Sequence, residues 1–324
     1  MQLYNNFVGV DIGKFSFVVA IHGQKQVKEY DNDPHGIKSF IKDYKKYLSQ
    51  GLCILETTGG YETRLVLTLC EAGYSVHRAN TRKVKHFIRS LGNSAKTDKL
   101  DSKALALYGY ERAARLELFT PQSKQALALY ELVQRRQDLK RLLVAEKNRL
   151  KAPRANLVQE SCRVMIDTIN QQVQLITEKI NAFIEQEPGL KAKKEILKSI
   201  PGISDITANG LLVLLPELGT LSRRQIASLA GVAPMANDSG TFKGYRATGY
   251  GRSDIKPILF MSAMAARNSN SSLKSFYNRL ISAGKKKMVA LTALMRKIIV
   301  IANARLKPLL TFKLNVEQTL VNYV

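Results

Sequence analysis

Two acidic side chains close apolar runs near the start of the chain. Asp11 lies within the run 7–13, beside a glycine, and Glu56 follows the run 52–55. Both runs are rich in Val, Ile, Leu and Phe, a composition typical of buried strands. If the two strands are neighbours in one sheet, both carboxylates emerge at the same edge.

A second pair of acids opens a predicted helix. Thr97 is a suitable N-cap, and Asp98 and Asp101 follow at i, i+3 spacing, which puts both on one face of the first turn. Four carboxylates that converge would repel one another unless they held hard divalent cations. Mg²⁺ takes oxygen ligands, and a pair of such ions serves phosphoryl transfer. The residues alone leave open the alternative that these are four ordinary surface or capping acids.

A turn-rich stretch, 231–254, combines many glycines with the cations Lys243, Arg246 and Arg252. This composition favours a loop, and loops carry functional sites. Ser239 lies in the loop between an aspartate and a glycine. From residue types alone, a simple turn explains residues 238–240. The chain's histidines, His22, His35, His77 and His86, all lie before residue 121.

Further candidates for phosphate contact lie in the last third of the chain. The segment 200–204 precedes an apolar helix and is similar to a helix-hairpin-helix turn, in which backbone N–H groups around Gly202 would receive a DNA phosphate. A Pro-Gly turn between two helices is the alternative. The basic candidates are Arg223, Arg224, Lys285, Lys286 and Lys287. Charge runs of this kind also occur as solvated faces.

Charge is distributed unevenly along the 324 residues, whose formal net charge is +24. Residues 191–324 hold 21 basic and 6 acidic side chains. Such a surface attracts polyanions, which makes nucleic acid the expected partner. A merely solubilising surface, the alternative, mixes both signs. The absence of Trp and an aromatic content of 7% give little sign of a base-stacking platform and predict a protein that contacts nucleic-acid backbones and leaves sequence reading to base pairing.

Cysteine usage and hydropathy bound the compartment. The three cysteines, Cys53, Cys70 and Cys162, are far apart and form no metal-binding or disulfide pattern. No apolar run approaches the length of about 18 residues that a spanning helix needs, and the first residues show no signal-peptide pattern. We therefore expect a cytoplasmic protein without a membrane role.

Hydrophobic periodicity divides the chain into three predicted domains. Residues 1–120 alternate strands and helices, beginning with a hairpin, and predict an α/β domain with a mixed sheet. Residues 121–190 show two heptad seams and predict an antiparallel coiled-coil arm. The second seam starts at Met165, and the first, interrupted by Arg136 and Glu146, passes through Leu129, Leu132, Leu139, Leu143 and Leu150. Two ordinary bundle helices are the alternative. Residues 191–324 are predicted to be mainly helical.

Three acidic motifs and three later motifs together resemble a known family. The sequence is similar to the DEDD transposases of the insertion-sequence one-ten family, relatives of the pilin-inverting Piv recombinases, in the same order over nearly the whole chain. The acidic motifs are VGVDIGK (8–14), LETTG (55–59) and KTDKLD (96–101); the later ones are SIPGI (199–203), LAGVAP (229–234) and DSGTFKG (238–244).

The resemblance implies a specific architecture and chemistry. It implies a RuvC-like, ribonuclease-H-fold domain that holds Mg²⁺ through Asp11, Glu56, Asp98 and Asp101, then a coiled-coil arm and a transposase domain with Ser239 as nucleophile. It also implies an active site composed from two subunits. Double-stranded DNA is the implied substrate, and a noncoding bridge RNA the implied guide. A homodimer or homotetramer fits the coiled-coil seam and the need to cut several strands.

Two other functions fit the same residues. In a hydrolytic junction nuclease of the RuvC type, the acids would activate water, and the loop around Ser239 would only bind DNA. A noncatalytic nucleic-acid scaffold would bind equally well without magnesium and tolerate Asp11→Asn.

Overall fold

The structure, a computed structural model, describes residues 4–92, 97–121, 123–153 and 155–321, with side chains as far as residue 309. The chain forms two compact units, residues 1–122 and 123–324. Each has hydrophobic clusters of its own.

The first unit is a five-stranded mixed sheet with helices. In chain order its elements are β1 (Asn6–Ile12), β2 (Ser16–Ile21), β3 (Val27–Asp31), α1 (Pro34–Leu48), β4 (Gly51–Glu56), α2 (Thr63–Glu71), β5 (Ser75–Ala79), α3 (Thr81–Ser90), α4 (Asp98–Arg112) and a 3-10 turn at Ala113–Arg115. The strand order is β3-β2-β1-β4-β5. The first three strands form an antiparallel meander, and β4 and β5 join in parallel. The predicted mixed α/β sheet is confirmed.

Side-chain alternation along β1 and β4 separates two hydrophobic layers. Val8 and Val10 of β1 belong to the cluster that includes α1 and α2, whereas Phe7 belongs to the cluster that includes α3 and α4. Because successive side chains in a strand point to opposite faces, Asp11 shares its face with Phe7. By the same rule Glu56 shares its face with Leu52 and Ile54, which lie in the α3–α4 cluster.

Gly9 determines how closely α4 packs on this face. A Cβ atom at Gly9 would lie 2.1 Å from the Ser102 carbonyl oxygen and 2.3 Å from the Ala106 nitrogen, both in the backbone of α4. Gly109 makes a second close approach, to the side chain of Ile54. Glycine at both points lets the helix backbone lie directly against the sheet.

The second unit is mainly helical. Its elements are α5 (Lys124–Lys151), α6 (Asn156–Gln186), α7 (Pro188–Lys198), α8 (Asp205–Leu214), α9 (Arg223–Leu229), the two-residue strands β6 (Asp238–Ser239) and β7 (Phe242–Lys243), α10 (Ile255–Ala266), α11 (Ser272–Ser282) and α12 (Lys287–Val321). Within the described residues of this unit, no helix is long and apolar enough to cross a membrane, and the same holds for the first unit.

Helices α5 and α6 pair along a seam that has two parts. Leu129 and Ile184 lie in the large core of the unit, while Leu139, Leu143 and Ile169 form a separate small cluster. The predicted seam position Met165 is wrong: that side chain is 47% exposed, and the next buried residue toward the start of α6 is Cys162.

Arg136 and Pro308 show how tertiary contacts change a local pattern. Arg136, which interrupts the heptad pattern, donates from Nε to Thr177 Oγ1 across the pair at 2.8 Å. Pro308, a residue type that commonly ends helices, lies inside α12. Proline removes one helical hydrogen bond there without ending the helix.

Candidate active site

All four predicted acids line one cavity of about 590 Å³ in the first unit. Val10 pairs with Leu55 in the parallel ladder between β1 and β4, so Asp11 and Glu56 come one position later, at the carboxyl ends of adjacent strands. Both are half-buried. The expected meeting of two strand-end carboxylates at one edge therefore has a structural basis.

Helix α4 brings the other two acids to the same cavity by its N-terminus. Thr97 caps the helix, its side-chain oxygen accepting a hydrogen bond from the Leu100 backbone nitrogen at 3.3 Å. Asp101 is half-buried and Asp98 is exposed. Acids in the first turn are favoured by the helix dipole. Lys96, the first residue of the third acidic motif, lies outside the described residues.

Two basic residues that sequence reasoning missed also line this cavity. Lys85 and Arg89, at i, i+4 spacing on α3, lie beside the acids. Their helical spacing was visible in the sequence, but nothing there indicated which face α3 presents. In the described part of the chain, no three His, Cys, Asp or Glu side chains are grouped closely enough to hold a metal ion as they stand. The cavity therefore combines four oxygen-donor side chains with two cations.

Glu62 holds the loop that follows Glu56 and was also missed. It is 1% exposed, and its Oε2 accepts hydrogen bonds from the Thr58 nitrogen and hydroxyl at 3.1 Å and from the Gly60 nitrogen at 3.0 Å. Arg78 approaches the other carboxylate oxygen at 4.0 Å. A loop with so many bonds to one carboxylate keeps the end of β4 in a fixed path.

Ser239 lies at the tip of a small hairpin in the second unit. It pairs with Phe242 in the two-residue ladder of β6 and β7, and Gly240 turns the chain with φ of 54°. Ser239 is exposed, and no hydrogen bond of its hydroxyl to another described residue is observed. An exposed hydroxyl on a tight turn is accessible to a large substrate.

The base of this hairpin loop is held by close backbone packing and an ion pair. A Cβ at Gly251 would lie 2.1 Å from the Gly231 nitrogen. Arg252 then donates to both carboxylate oxygens of Glu217, at 2.8 and 2.5 Å, and to the Leu214 carbonyl at 2.7 Å. Burial raises the pKa of Glu217, but the hydrogen bonds from Arg252 outweigh it and leave that pKa below its ordinary value.

The remaining predicted phosphate contacts are distributed over the second unit. Arg246 pairs with Asp238 at 3.4 Å across the hairpin, while Lys243 is exposed on β7. Arg223 and Arg224 begin α9, the exposed Lys285 and Lys286 lie between α11 and α12, and the exposed Lys287 is the first residue of α12. Arg252, in contrast, already has the internal partners described above.

Gly202 has a packing requirement of its own. Its φ is 90°, and a Cβ there would lie 2.4 Å from the Ser262 carbonyl oxygen of α10. The neighbouring α8 N-terminus carries Asp205, which contacts the buried Lys194 at 3.2 Å and Lys198 at the same distance. The predicted helix-hairpin-helix turn is therefore a tightly packed corner in which a carboxylate already lies in the first turn of the second helix.

Two transposase family models match the chain. The DEDD transposase model of the IS110 group, described as "Transposase", matches residues 8–157, and the model described as "Transposase IS116/IS110/IS902 family" matches residues 194–278. The first match spans the four acids and the second spans Ser239.

Curated proteins are similar over most of the chain. The "Pilin gene-inverting protein" of Moraxella lacunata is 28% identical over 92% of this chain and 94% of its own length, and that of Moraxella bovis has the same values. The "Insertion element IS110 uncharacterized 43.6 kDa protein" of Streptomyces coelicolor is 31% identical over 47% of this chain and 37% of its own length.

Proposed function

The chain belongs to the IS110 family of DEDD transposases, related to the pilin gene-inverting proteins, and we propose that it recombines DNA through a covalent phosphoserine link at Ser239. Its class of enzyme is that of the DNA recombinases and transposases. The observation that carries the proposal is that acids from three separate segments line one cavity.

The acids form the ion-binding part of the proposed site. Asp11, Glu56, Asp98 and Asp101 would hold Mg²⁺, for which a set of carboxylate oxygens is a suitable donor set. When bound, the ions would supply charge stabilisation at the attacking and leaving oxygens. The strand order β3-β2-β1-β4-β5 supports a ribonuclease-H-like fold for this part of the chain. Lys85 and Arg89 would attract the substrate phosphate to the same cavity.

Ser239 performs the proposed transesterification. Its oxygen forms a bond to phosphorus while one P–O bond of the DNA backbone breaks; the serine proton leaves, and the departing DNA oxygen ends as a hydroxyl. The energy of the phosphodiester is retained in the phosphoserine, so a second DNA hydroxyl can attack it and rejoin the strand without ATP. Lys243 of this hairpin and Arg246, which follows it, would contact the phosphate.

The proposed partners are double-stranded DNA, a noncoding bridge RNA and further copies of the chain. The charge of +24 supports a polyanionic partner, and a guide RNA would supply sequence recognition by base pairing. A dimer or tetramer would meet the need to cut several strands, whereas the apolar seam of α5 is already buried against α6 of the same chain. The proposed location is the cytoplasm, where the DNA is.

The decisive experiment asks for a covalent adduct. The full chain is incubated with element-end DNA, the flanking transcript and magnesium, and a protein–DNA adduct that resists denaturation is mapped by mass spectrometry. We expect attachment at Ser239, lost in Ser239→Ala and in Asp11→Asn. Thr241→Val, two residues after Ser239 in the turn of the same hairpin, is the matched control and should retain the adduct.

The same experiment separates the alternatives. Free nicked ends without attached protein would indicate hydrolysis by the acids, and recombination by Ser239→Ala at the wild-type rate would contradict the serine assignment. Equal DNA binding with and without magnesium, and no strand cleavage at all, would favour a scaffold.

A further inference from the structure

A second cavity, of about 770 Å³, lies wholly within the second unit, next to the base of the Ser239 hairpin. Its volume is in the range of about 300–1,000 Å³ that small-molecule sites occupy. The largest contribution to its wall comes from one face of α12, which includes Val289, Ala293, Arg296, Lys297 and Val300. The spacing of these residues is that of a helix face.

Part of the cavity lining is apolar and includes an aromatic ring. It comprises the buried Val232, the half-buried Val300, the exposed Pro234 and the half-buried ring of Phe276 from α11. Lys297 Nζ lies 4.2 Å from the centre of that ring, a cation–π contact. At the mouth, Tyr245 is 77% exposed, although it belongs to the lining. A flat apolar group would find one ring inside and another at the entrance.

The rest of the lining is strongly basic. Arg223, Arg246, Arg296 and Lys297 all line the cavity, and no Asp or Glu is among the described residues that do. A lining that combines apolar side chains with four cations favours a ligand that has both a flat apolar part and negative charge. A nucleotide has this combination, with a base to stack and a phosphate on either side.

The cavity is connected directly to the hairpin that carries Ser239. Pro234 and Thr248, both in its lining, form a backbone bridge across the base of the hairpin loop, and the Met235 nitrogen donates to the Ala247 carbonyl at 2.9 Å. A ligand held here would sit at the root of the loop, a few residues from the proposed nucleophile.

We propose that this cavity receives one unpaired nucleotide. Its base contacts the apolar residues of the lining while its flanking phosphates contact the arginines of the lining. The inference rests on the proposed function, since it supplies the recombinase with a site for a base displaced from a duplex. A paired duplex exposes only its backbone and base edges, so its bases cannot enter the apolar part of this cavity. Extruded bases are held elsewhere in proteins by stacking inside such pockets.

The test compares the affinity of the full chain for a nucleic-acid bulge that carries a base with its affinity for the same bulge without one. Duplex DNA with a single-nucleotide 2-aminopurine bulge, and the same duplex with an abasic bulge, are titrated with the full chain; an equivalent RNA pair is measured alongside. We expect the base-containing bulge to bind about tenfold tighter, as stacking of one base supplies, with a change of 2-aminopurine fluorescence. A preference in only the RNA pair or only the DNA pair identifies the strand that supplies the nucleotide.

The variants are chosen to fill the cavity without changing charge. Ala293→Leu narrows it, while Ala304→Leu makes the same substitution at an exposed position of the same helix. We expect Ala293→Leu to remove the preference for the base and leave binding to the abasic bulge intact, and Ala304→Leu to keep the preference. Tyr245→Ala, in an exposed loop position, tests the mouth independently of packing in α12.

The outcomes distinguish this inference from the proposed function. Equal wild-type affinity for the base and abasic bulges, or a preference that survives Ala293→Leu, would overturn the nucleotide site even if the Ser239 adduct forms. A preference that depends on Ala293, without any adduct, would support the nucleotide site and contradict the phosphoserine mechanism.

Discussion

At the scale of single residues, Glu62 is the group on which the loop after β4 depends. Three donors of residues 58 and 60 share one of its oxygens in a nearly buried environment. Hydrogen bonds to a charged group contribute about 1.5–3 kcal/mol, and less where water can replace the acceptor, as at the exposed Gly60. We therefore expect Glu62→Ala to lower the free energy of unfolding by about that amount, measured by urea denaturation.

The loop also leads away from Glu56, so the same variant should reduce strand cleavage. Glu71→Ala, which removes an exposed carboxylate at the end of α2, is the control and should leave both quantities nearly unchanged. Equal denaturation midpoints for the two variants would contradict the anchoring role of Glu62.

Glu217 gives a prediction about pH. Its pKa in the folded chain is below the ordinary value of 4.5, because the bonds from Arg252 outweigh the effect of burial. The unfolded chain therefore binds more protons than the folded chain as the pH falls below that value. The stabilisation by this pair is fully present above pH of about 5 and is lost in more acidic solution.

Glu217→Gln removes the titrating group and is the means of measurement. At neutral pH the wild type should be the more stable, and the two urea midpoints should converge as the pH falls toward 3. A difference in urea midpoint that stays constant over this pH range would show that the Glu217–Arg252 pair makes no pH-dependent contribution to stability.

At the scale of elements, the position of α4 depends on Gly9. Any side chain at this position meets backbone atoms of α4 at 2.1–2.3 Å, and backbone cannot rotate away as a side chain can. Gly9→Ala should therefore displace the helix whose first turn carries Asp98 and Asp101. Overpacking of this kind costs about 1–3 kcal/mol, seen as a lower thermal midpoint.

The control for that variant is Gly249→Ala. The nearest atom to a Cβ at Gly249 is the methyl carbon of Met235 at 3.8 Å, an ordinary contact. Its thermal midpoint should match that of the wild type. If Gly9→Ala also melts with the wild type and retains cleavage, the close approach of α4 does not position the acids.

Elements were largely predictable because local patterns determine them. The apolar runs and the capping residue Thr97 identified strands and a helix to within a few residues of their observed bounds. Long-range packing was less predictable: Met165 and Ile166 are both apolar, and the sequence does not show that Ile166 rather than Met165 packs against the seam. The same holds for the cavity at α12, because it unites residues from four elements that are far apart in sequence.

The acidic cavity was predictable in part, because local sequence patterns also indicate where its carboxylates lie. Strand-end positions and i, i+3 spacing indicated which carboxylates could meet, because both patterns are local. Lys85, Arg89 and Glu62 were missed because their contributions depend on which face of α3 is turned inward and on the path of a loop.

At the scale of the whole molecule, the chain has two units with separate cores. In the first unit the clusters contain only residues between positions 4 and 119, and in the second only residues between 129 and 309. We therefore expect fragments 1–121 and 123–324 each to fold alone and to melt cooperatively. Their circular dichroism spectra should sum to that of the full chain, and a fragment without a melting transition would contradict this.

The distribution of charge over these units predicts which one binds nucleic acid. Residues 123–324 carry 32 basic and 14 acidic side chains, against 18 and 12 in residues 1–122. Each phosphate neutralised releases counterions, so the logarithm of affinity falls with the logarithm of salt concentration in proportion to the contacts made. Fragment 123–324 should therefore bind nonspecific duplex DNA with nearly the salt slope of the full chain, and fragment 1–121 with a much shallower one.

Arg252→Gln should leave the slope of fragment 123–324 unchanged because that guanidinium already binds Glu217, whereas removing both Lys285 and Lys286 should reduce the slope by up to about two units. A slope that falls with Arg252 but not with the lysines would show that the pair with Glu217 opens when DNA binds.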